Sequence, residues 1–443
     1  MVEGRVTMAG AVHADLVDRL GRDRVAMGEA ARRMEGFDPQ GREGPVAVVR
    51  PSNAEQVEHV LRIGRLRHLP VEVRSRLPAL LPDDLRDTLT LDTSGLNRPP
   101  AIDIGRRVVT VGAGVEAAAV DRATRQARLC LRGLPAEFSG ETLGALLAAG
   151  EPGELGLGDG SLLSEVVSAL VVTGGGRILR LGGSDLLGQG PWLGEGTPDP
   201  LSILMASEGR LAVLCEVTLK LHPAPHVAWA SADLPLERKH LLAALSAGRA
   251  ATSARMTDAV LLHEAAGRLR IDVRAATWRG EDDLPLVTER VRAGFRRHEV
   301  ELHPFKAEES RARLGLQPGE WPRAPKLVGP ALDLRVSWPD VAAVLDVSDA
   351  LYAEAGQAPA RQWALGQGYV RLRCLLDGAT TSPHPLVLRA AHLLDAGAIP
   401  IGTGSRLRQS ARDRIPPAVK VLLASLARTW DPDGVLSSKS GLL

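Results

Sequence analysis

Apolar and polar positions change their period along the chain, and each change marks an element. The run 45–51, "PVAVVRP", is continuously apolar and short, and predicts a buried strand. In "SNAEQVEHVLRIGRLRH" (52–68) the period lengthens. Val57, Val60, Leu61 and Ile63 then form one helical face, with Ser52 as N-cap and Glu55 as its capping-box partner. "PVEVR" (70–74) returns to strand period, so 45–74 predicts a β-α-β unit. Further strands are expected at 87–93, 101–104 and 107–114, with a helix at 115–129. A β-hairpin is expected at 166–183 around Gly174, Gly175 and Gly176. The alternation in "GRLAVLCEVTLKLHP" (209–223) predicts a strand pair ending at Pro223.

A second series begins near Pro225. Strands are expected at 226–235 and 268–278, separated by a helix near 235–249. A helix follows at 284–298 and a strand at 331–338. The helix at 339–356 has Pro339 at its first position. The segment 361–376, "RQWALGQGYVRLRCLL", reads as one strand interrupted by two glycines. Helices at 385–394 and 417–430 precede the turn 431–434, and the Gly/Pro-rich stretch 188–200 reads as a surface loop. No internal repeat is visible. Strands and helices in this order predict an α+β chain, with an α+β cap beside a first, larger unit.

Composition narrows the classes. A chain of 443 residues is long for a single core, so two domains are expected. With 54 basic residues against 53 acidic, net charge is +1, which gives no reason to expect nucleic acid as a partner. Only six of the basic residues are Lys, a bias we read as base composition of the gene. Cys130, Cys215 and Cys374 lie apart in apolar runs, without metal-ligand spacing, and read as buried thiols of a reducing cytoplasm. The first thirty residues lack the apolar core of a signal peptide, and no apolar run is long enough to span a membrane. His222 reads as a capped or exposed strand end, and His298 and His303 as solvent-facing. His263-Glu264 lacks the second His of a helical zinc motif, and "TGGGR" (173–177) lacks the Gly-Lys-Ser/Thr of a phosphate loop.

Six ordered segments carry a resemblance: "AVVRPSNAEQVEHVL", "VVTVGAGV", "TLGALLAAG", "SEVVSALVVTGGGRI", "ASEGRLAVLCEVTLKLHP" and "WDPDGVLSSKSGLL". Together they resemble the FAD-linked oxidases of the vanillyl-alcohol-oxidase type (the PCMH-type FAD-binding fold), in the glycolate oxidase and D-lactate dehydrogenase branch. The resemblance implies an FAD-binding domain over 1–224, a cap or substrate domain over 225–402, and a C-terminal segment, 403–443, returning to the FAD domain.

The resemblance also implies where the cofactor contacts fall. The family's first loop, Pro-Arg-Gly-Gly-Gly-Thr, exposes backbone N–H groups to the diphosphate. Here Arg74 is kept, while Ser75, Arg76 and Leu77 stand at the glycines and Pro78 at the Thr. The second loop corresponds to Thr142, Leu143, Gly144 and Ala145. The third corresponds to Gly160 and Ser161, with Ser164 in place of an Asp. The fourth is Ser207-Glu208-Gly209, ahead of a strand whose backbone near Val213 meets the adenine. FAD is expected to be non-covalent, since no His or Cys stands in the first loop.

The family's His-x-Gly-x-Gly-Asn stretch matches Ala364 to Tyr369 without its His or Asn, and its Glu-His-Gly-x-Gly segment matches "PIGTGS" (400–405) without Glu or His. No metal is expected, and no catalytic residue is assigned. Trp363 and Tyr369 are expected to line the pocket over the flavin, or else to pack in the core. "WALGQGYVRL" is closer to the second, FAD-type subunit of glycolate oxidase than to its catalytic one. The chain therefore reads as a divergent, accessory oxidoreductase subunit with heteromeric oxidase partners. The alternative is a flavin-free pseudoenzyme serving as an assembly module.

Overall fold

In the computed structural model the described residues are 2–28, 31, 45–75, 87–134, 140–150, 162–182, 201, 204–205, 207, 209–253, 257, 259–265, 267–304, 331–366, 368–375, 391–400 and 416–436. The chain opens with helix α1 (Val2–Leu20), which places Val12, Leu16 and Leu20 on one buried face, each a helical turn apart. Strands β1 (Val25–Met27) and β2 (Ala47–Val49) are followed by helix α2 (Ala54–Arg67) and strands β3 (Val71–Arg74) and β4 (Leu89–Asp92). They form a sheet in the order β1-β2-β4-β3, in which β2, β4 and β3 run parallel. The predicted β-α-β unit is present, with its cap shifted by one residue. Asn53 accepts from the Gln56 N–H, and the Gln56 side chain reaches back to the Ser52 N–H at 2.8 Å. The capping box is therefore Asn53/Gln56 rather than Ser52/Glu55. An amide oxygen at the N-cap serves as well as a hydroxyl.

Strands β5 (Ala101–Asp103) and β6 (Val108–Gly112) lead to helix α3 (Ala117–Gln126), the short strand β7 (Leu129–Cys130) and helix α4 (Leu143–Ala149). Strands β8 (Val166–Thr173) and β9 (Ile178–Gly182) make the expected hairpin. The expected pair at 209–223 is instead one long strand, β10 (Ala212–Lys220), followed by β11 (His222–Pro223), which pairs with β7. A second sheet, ordered β5-β6-β10-β8-β9, results. One core lies between the two sheets and includes Val49, Leu91, Val60, Val172 and Val213. Another lies on the far side of the second sheet, under α3 and α4.

The remaining strands are β12 (His226–Pro235), β13 (Ala259–Ala265), β14 (Arg268–Thr277), β15 (His303–Pro304), β16 (Ala331–Ser337), β17 (Arg361–Leu365), β18 (Tyr369–Leu375) and β19 (Ile399–Pro400). They form one eight-stranded sheet, β15-β12-β14-β13-β17-β18-β16-β19. The segment read as one interrupted strand is the hairpin β17–β18. Its glycines sit in the turn, where the Gly366 N–H donates to the Tyr369 carbonyl. Helices α5 (Arg238–Ser253), α6 (Leu284–Arg296), α7 (Val341–Glu354) and α8 (Ala391–Asp395) bury one face of this sheet in a single apolar core. Helix α9 (Pro417–Trp430) runs back toward the first sheets. The Gly175 N–H donates to Trp430, and the Val71 N–H at the start of β3 donates to Val435 at 2.8 Å.

Candidate active site

Open sheets with parallel strands bind ligands at the carboxyl ends of those strands. Here β2, β3 and β4 end together, at Arg50, Arg74-Ser75 and Asp92-Thr93. The edge is tied by side chains. Arg50 Nε donates to Asp92 at 2.7 Å, Asp92 caps the Ser94 N–H, and the Thr93 hydroxyl donates to the Arg74 carbonyl at 2.9 Å. Backbones then stack against this edge with no room for side chains. A Cβ on Gly114 would lie 2.3 Å from the Thr93 carbonyl oxygen, and one on Gly112 would lie 2.2 Å from that of Leu96. Glycine is the residue that permits such approach.

The same chain of contacts reaches the second predicted loop. The Leu143 N–H donates to Val115 and the Gly144 N–H to Ala113, both at 2.8 Å, while the Thr142 hydroxyl accepts from the Ala145 N–H. A Cβ on Gly144 would lie 2.7 Å from that of Ala113. Residues 142–145 are thus beside the edge, with the N–H groups of Leu143, Gly144 and Ala145 committed to the protein itself, so these three brace the site. Gly209, at φ +77°, packs against Val73, so the fourth loop adjoins β3 just before Arg74. The Val213 side chain is buried in the inter-sheet core, opposite Val172. Arg76, Gly160 and Ser161 lie outside the described residues.

These residues were tested for fit to a dinucleotide. At the carboxyl edge Arg50 is paired with Asp92, and a second described cation is Arg74. Burial pulls its pKa below the ordinary guanidinium value, with Glu72 opposing, as expected for a charge held largely out of water. A guanidinium there matches a diphosphate in charge. Among the described residues no cluster of His, Cys, Asp and Glu could hold a metal, and all three cysteines are free and buried.

The eight-stranded sheet separates residues that the sequence reading had grouped. Trp363 faces the helix-covered core, where its indole N–H donates to Glu264, whereas Tyr369 is on the opposite face with Leu261, Ala364 and Trp229. The two aromatics therefore do not line one pocket together. Cross-strand register assembles a polar row on Tyr369's face. Arg270 of β14 lies opposite His263 of β13, His263 opposite Gln362 of β17, and Gln362 opposite Arg373 of β18. One step along, Arg371 lies opposite Ala364 and Arg335. Arg335 stacks on the Tyr369 ring at 3.9 Å.

Although polar, this face is enclosed. Asp272, Arg274, Gln362, Arg371 and Arg373 are all buried. The sequence reading missed the row. Its signal was arginine at alternate positions, 268, 270 and 274 in one strand and 371 and 373 in another, which period-2 geometry sends to one side. His222, expected as a capped or exposed strand end, is mostly buried and paired with Glu165 at 2.7 Å. His303 is exposed, as expected.

With this geometry in hand, known proteins show the same architecture. Residues 45–182 match the family model described as an FAD binding domain. A stretch of 180 residues is 28% identical to the D-lactate dehydrogenase of Archaeoglobus fulgidus, covering 40% of this chain and 38% of that enzyme. The match thus spans well under half of that relative's length.

Among solved structures, the 4-ethylphenol oxidase from Gulosibacter chungangensis superposes with a TM-score of 0.78 at 15% identity, over 98% of this chain and 97% of that one. p-Cresol methylhydroxylase superposes with a TM-score of 0.74 at 13% identity, over 97% and 96%. Alkyldihydroxyacetonephosphate synthase gives 0.72 at 13%, over 96% and 85%. The fold is the one these structures share. Within it, residues 45–182 match an FAD binding domain, and FAD is the cofactor such a domain takes. No helix among the described residues is long and apolar enough to cross a membrane.

Proposed function

We propose that the protein is an FAD-linked oxidoreductase of 2-hydroxy acids whose substrate lies against the polar face of the eight-stranded sheet. The observation that carries this reading is the enclosure of Arg274, Arg371 and Arg373 on the face that the described helices do not cover. Guanidinium forks grip carboxylates through paired hydrogen bonds. Two from one strand, with a third from β14, would fix an acid in a single orientation. The sequence likeness to a D-lactate dehydrogenase supports an acid rather than a phenol.

When bound, the flavin supplies the acceptor for a hydride equivalent. The chain's own part is to hold the diphosphate at Arg74 and Ser75, to hold the acid's carboxylate at Arg371 and Arg373, and to keep water from the reacting carbon. The first loop contains no His or Cys, which favours non-covalent FAD.

The test is a visible spectrum of protein purified without added cofactor, repeated after FAD addition and desalting. Flavin bands that bleach anaerobically on adding D-lactate or glycolate are expected. Arg371→Met should raise the acid concentration for half-maximal bleaching by about 10-fold or more, the worth of a charge-assisted hydrogen bond of about 1.5–3 kcal/mol. A colourless protein that retains no added FAD sinks the reading. A second reading, an accessory subunit in a heteromeric oxidase, is favoured by the exposed Val421 and Leu422 on α9. Its check is whether Leu422→Glu releases a second chain that co-purifies with the wild type.

A further inference from the structure

The glycine run at 174–176 lacks the residues of a phosphate loop, yet it is shaped as a seat. It makes the turn between β8 and β9, and the turn that follows α9 lies against it. A Cβ on Gly174 would lie 2.2 Å from the carboxyl carbon of Asp431, so glycine is what lets that carboxylate in. The Gly175 N–H donates to the Trp430 carbonyl at 2.9 Å. Arg65 of α2 holds the seat in place. Its Nη1 donates to the Gly174 carbonyl at 2.7 Å, and its guanidinium packs on Gly176, where a Cβ would be 2.7 Å away.

Asp431 is buried, and a carboxylate out of water needs donors on its oxygens. Each oxygen has one. Oδ1 accepts from the Val435 N–H at 2.9 Å and Oδ2 from the Leu436 N–H at 2.7 Å. These bonds turn the chain so that Val435 and Leu436 enter the inter-sheet core, where the Val435 carbonyl meets the Val71 N–H at 2.8 Å. Strand β3 is an edge strand of the first sheet, with β4 on its paired side. The tie to Val435 acts on the other side. Gly64 of α2 shows how closely the three segments meet, since a Cβ there would lie 2.8 Å from Val71 and 3.2 Å from Val435. At its far end β3 finishes on Arg74.

We propose that Asp431 is a positioning residue for FAD. Seated on the glycine turn, it aims the chain at β3 and so fixes where Arg74 meets the diphosphate. The inference rests on the reading that Arg74 holds that diphosphate. Asp431 acts through Val435, Val71 and the backbone of β3. An edge strand has one ladder neighbour where an inner strand has two, so loss of the tie lets β3 shift. A charge-assisted hydrogen bond weakens steeply when its donor is misplaced.

The test titrates full-length, flavin-depleted protein with FAD and compares Arg74→Met, Asp431→Ala and the double variant. Arg74→Met should weaken FAD binding by about 10-fold or more, the loss of a charge-assisted hydrogen bond. Asp431→Ala should weaken it by about 10-fold. The double variant should bind within about 3-fold of Arg74→Met, since residues that act through one contact are not additive. Gly174→Ala disturbs the seat from the other side and should lose affinity as Asp431→Ala does; it takes the place of Asp431→Ala in the cycle if that variant does not fold. Asp431→Asn keeps one acceptor oxygen and should recover part of the affinity.

Asp431→Ala and Gly174→Ala proteins that bind FAD within about 3-fold of wild type overturn the inference and leave the Arg74 reading intact. A double variant that loses the product of the two single losses also overturns it, because Asp431 then only steadies the fold. An Arg74→Met protein that binds FAD as tightly as wild type overturns the diphosphate reading and, with it, the route assigned to Asp431.

Discussion

At the scale of single residues, the partition of His263 from Glu264 is the instructive case. The sequence presents them as a dipeptide without the second His of a helical zinc motif. A strand sends successive side chains to opposite faces, so His263 joins the polar face while Glu264 enters the helix-covered core. There it binds Arg361 through two hydrogen bonds of 3.0 and 2.7 Å, and Arg361 extends to Ser348 and Asp349. Burial drags the Arg361 pKa down, but Glu264 and Asp349 more than offset this, so its net shift is upward. Removing one member of such a pair strands the other's charge. Glu264→Gln should therefore lower the free energy of unfolding by about 3–5 kcal/mol in a urea titration. Glu301→Gln, at an exposed carboxylate beyond α6 that pairs with Arg292 of that helix, should change it by less than about 0.5 kcal/mol. A change of similar size at both would mean that the buried pair is not the anchor it appears from its geometry. Trp363, expected either over the flavin or in the core, takes the core position by the same parity.

At the scale of elements, hydrophobic period located most strands and helices, because each period reports a local geometry. What it could not report is how elements touch. Gly112 and Gly114 read as the end of a strand and Gly144 as part of a cofactor loop, and only the folded backbone shows that each one admits a carbonyl or a methyl from another segment. Gly114→Ala would place a methyl against the Thr93 carbonyl, in the ties that hold the Arg74 edge. Overpacking of this kind costs about 1–3 kcal/mol. The expected outcome is a lower melting temperature together with loss of FAD on desalting, measured side by side. Unchanged cofactor retention would show that the edge tolerates the displacement. The β17–β18 turn escaped the sequence for a related reason. Two glycines within an apolar run fit either a kinked strand or a hairpin, and the register that decides between them is set by a partner strand nearly 100 residues away, at Leu261 to Glu264.

At the scale of the molecule, the polar face is built by register alone. Arg270, His263, Gln362 and Arg373 come from four strands, and no local pattern could have announced that they line up. The resemblance of ordered segments gave the architecture, while the chemistry of the cap face had to be read from the sheet. The enclosed His263 also makes stability depend on pH. Its folded pKa is depressed below the unfolded value of 6.5, so below that value the unfolded chain binds a proton that the folded chain resists. This contribution is complete above pH 6.5 and is lost as pH falls below it. Chemical denaturation at pH 7.5 and pH 5.5 should show wild type losing more stability on acidification than His263→Asn. Equal losses would assign the acid sensitivity to other groups.

The hydrogen bond from Val71 to Val435 has a consequence in time. Strand β3 begins some 360 residues before the residue that completes its edge. At roughly 5–20 residues per second of synthesis, the ribosome needs about 20–70 s to deliver that partner. Throughout that interval the first sheet has been made but lacks its final stitch, and the start of the strand that carries Arg74 has an unpaired N–H. The strand that carries Arg74 is therefore among the last parts of the molecule to be fully paired, so stable flavin retention is expected after translation rather than during it.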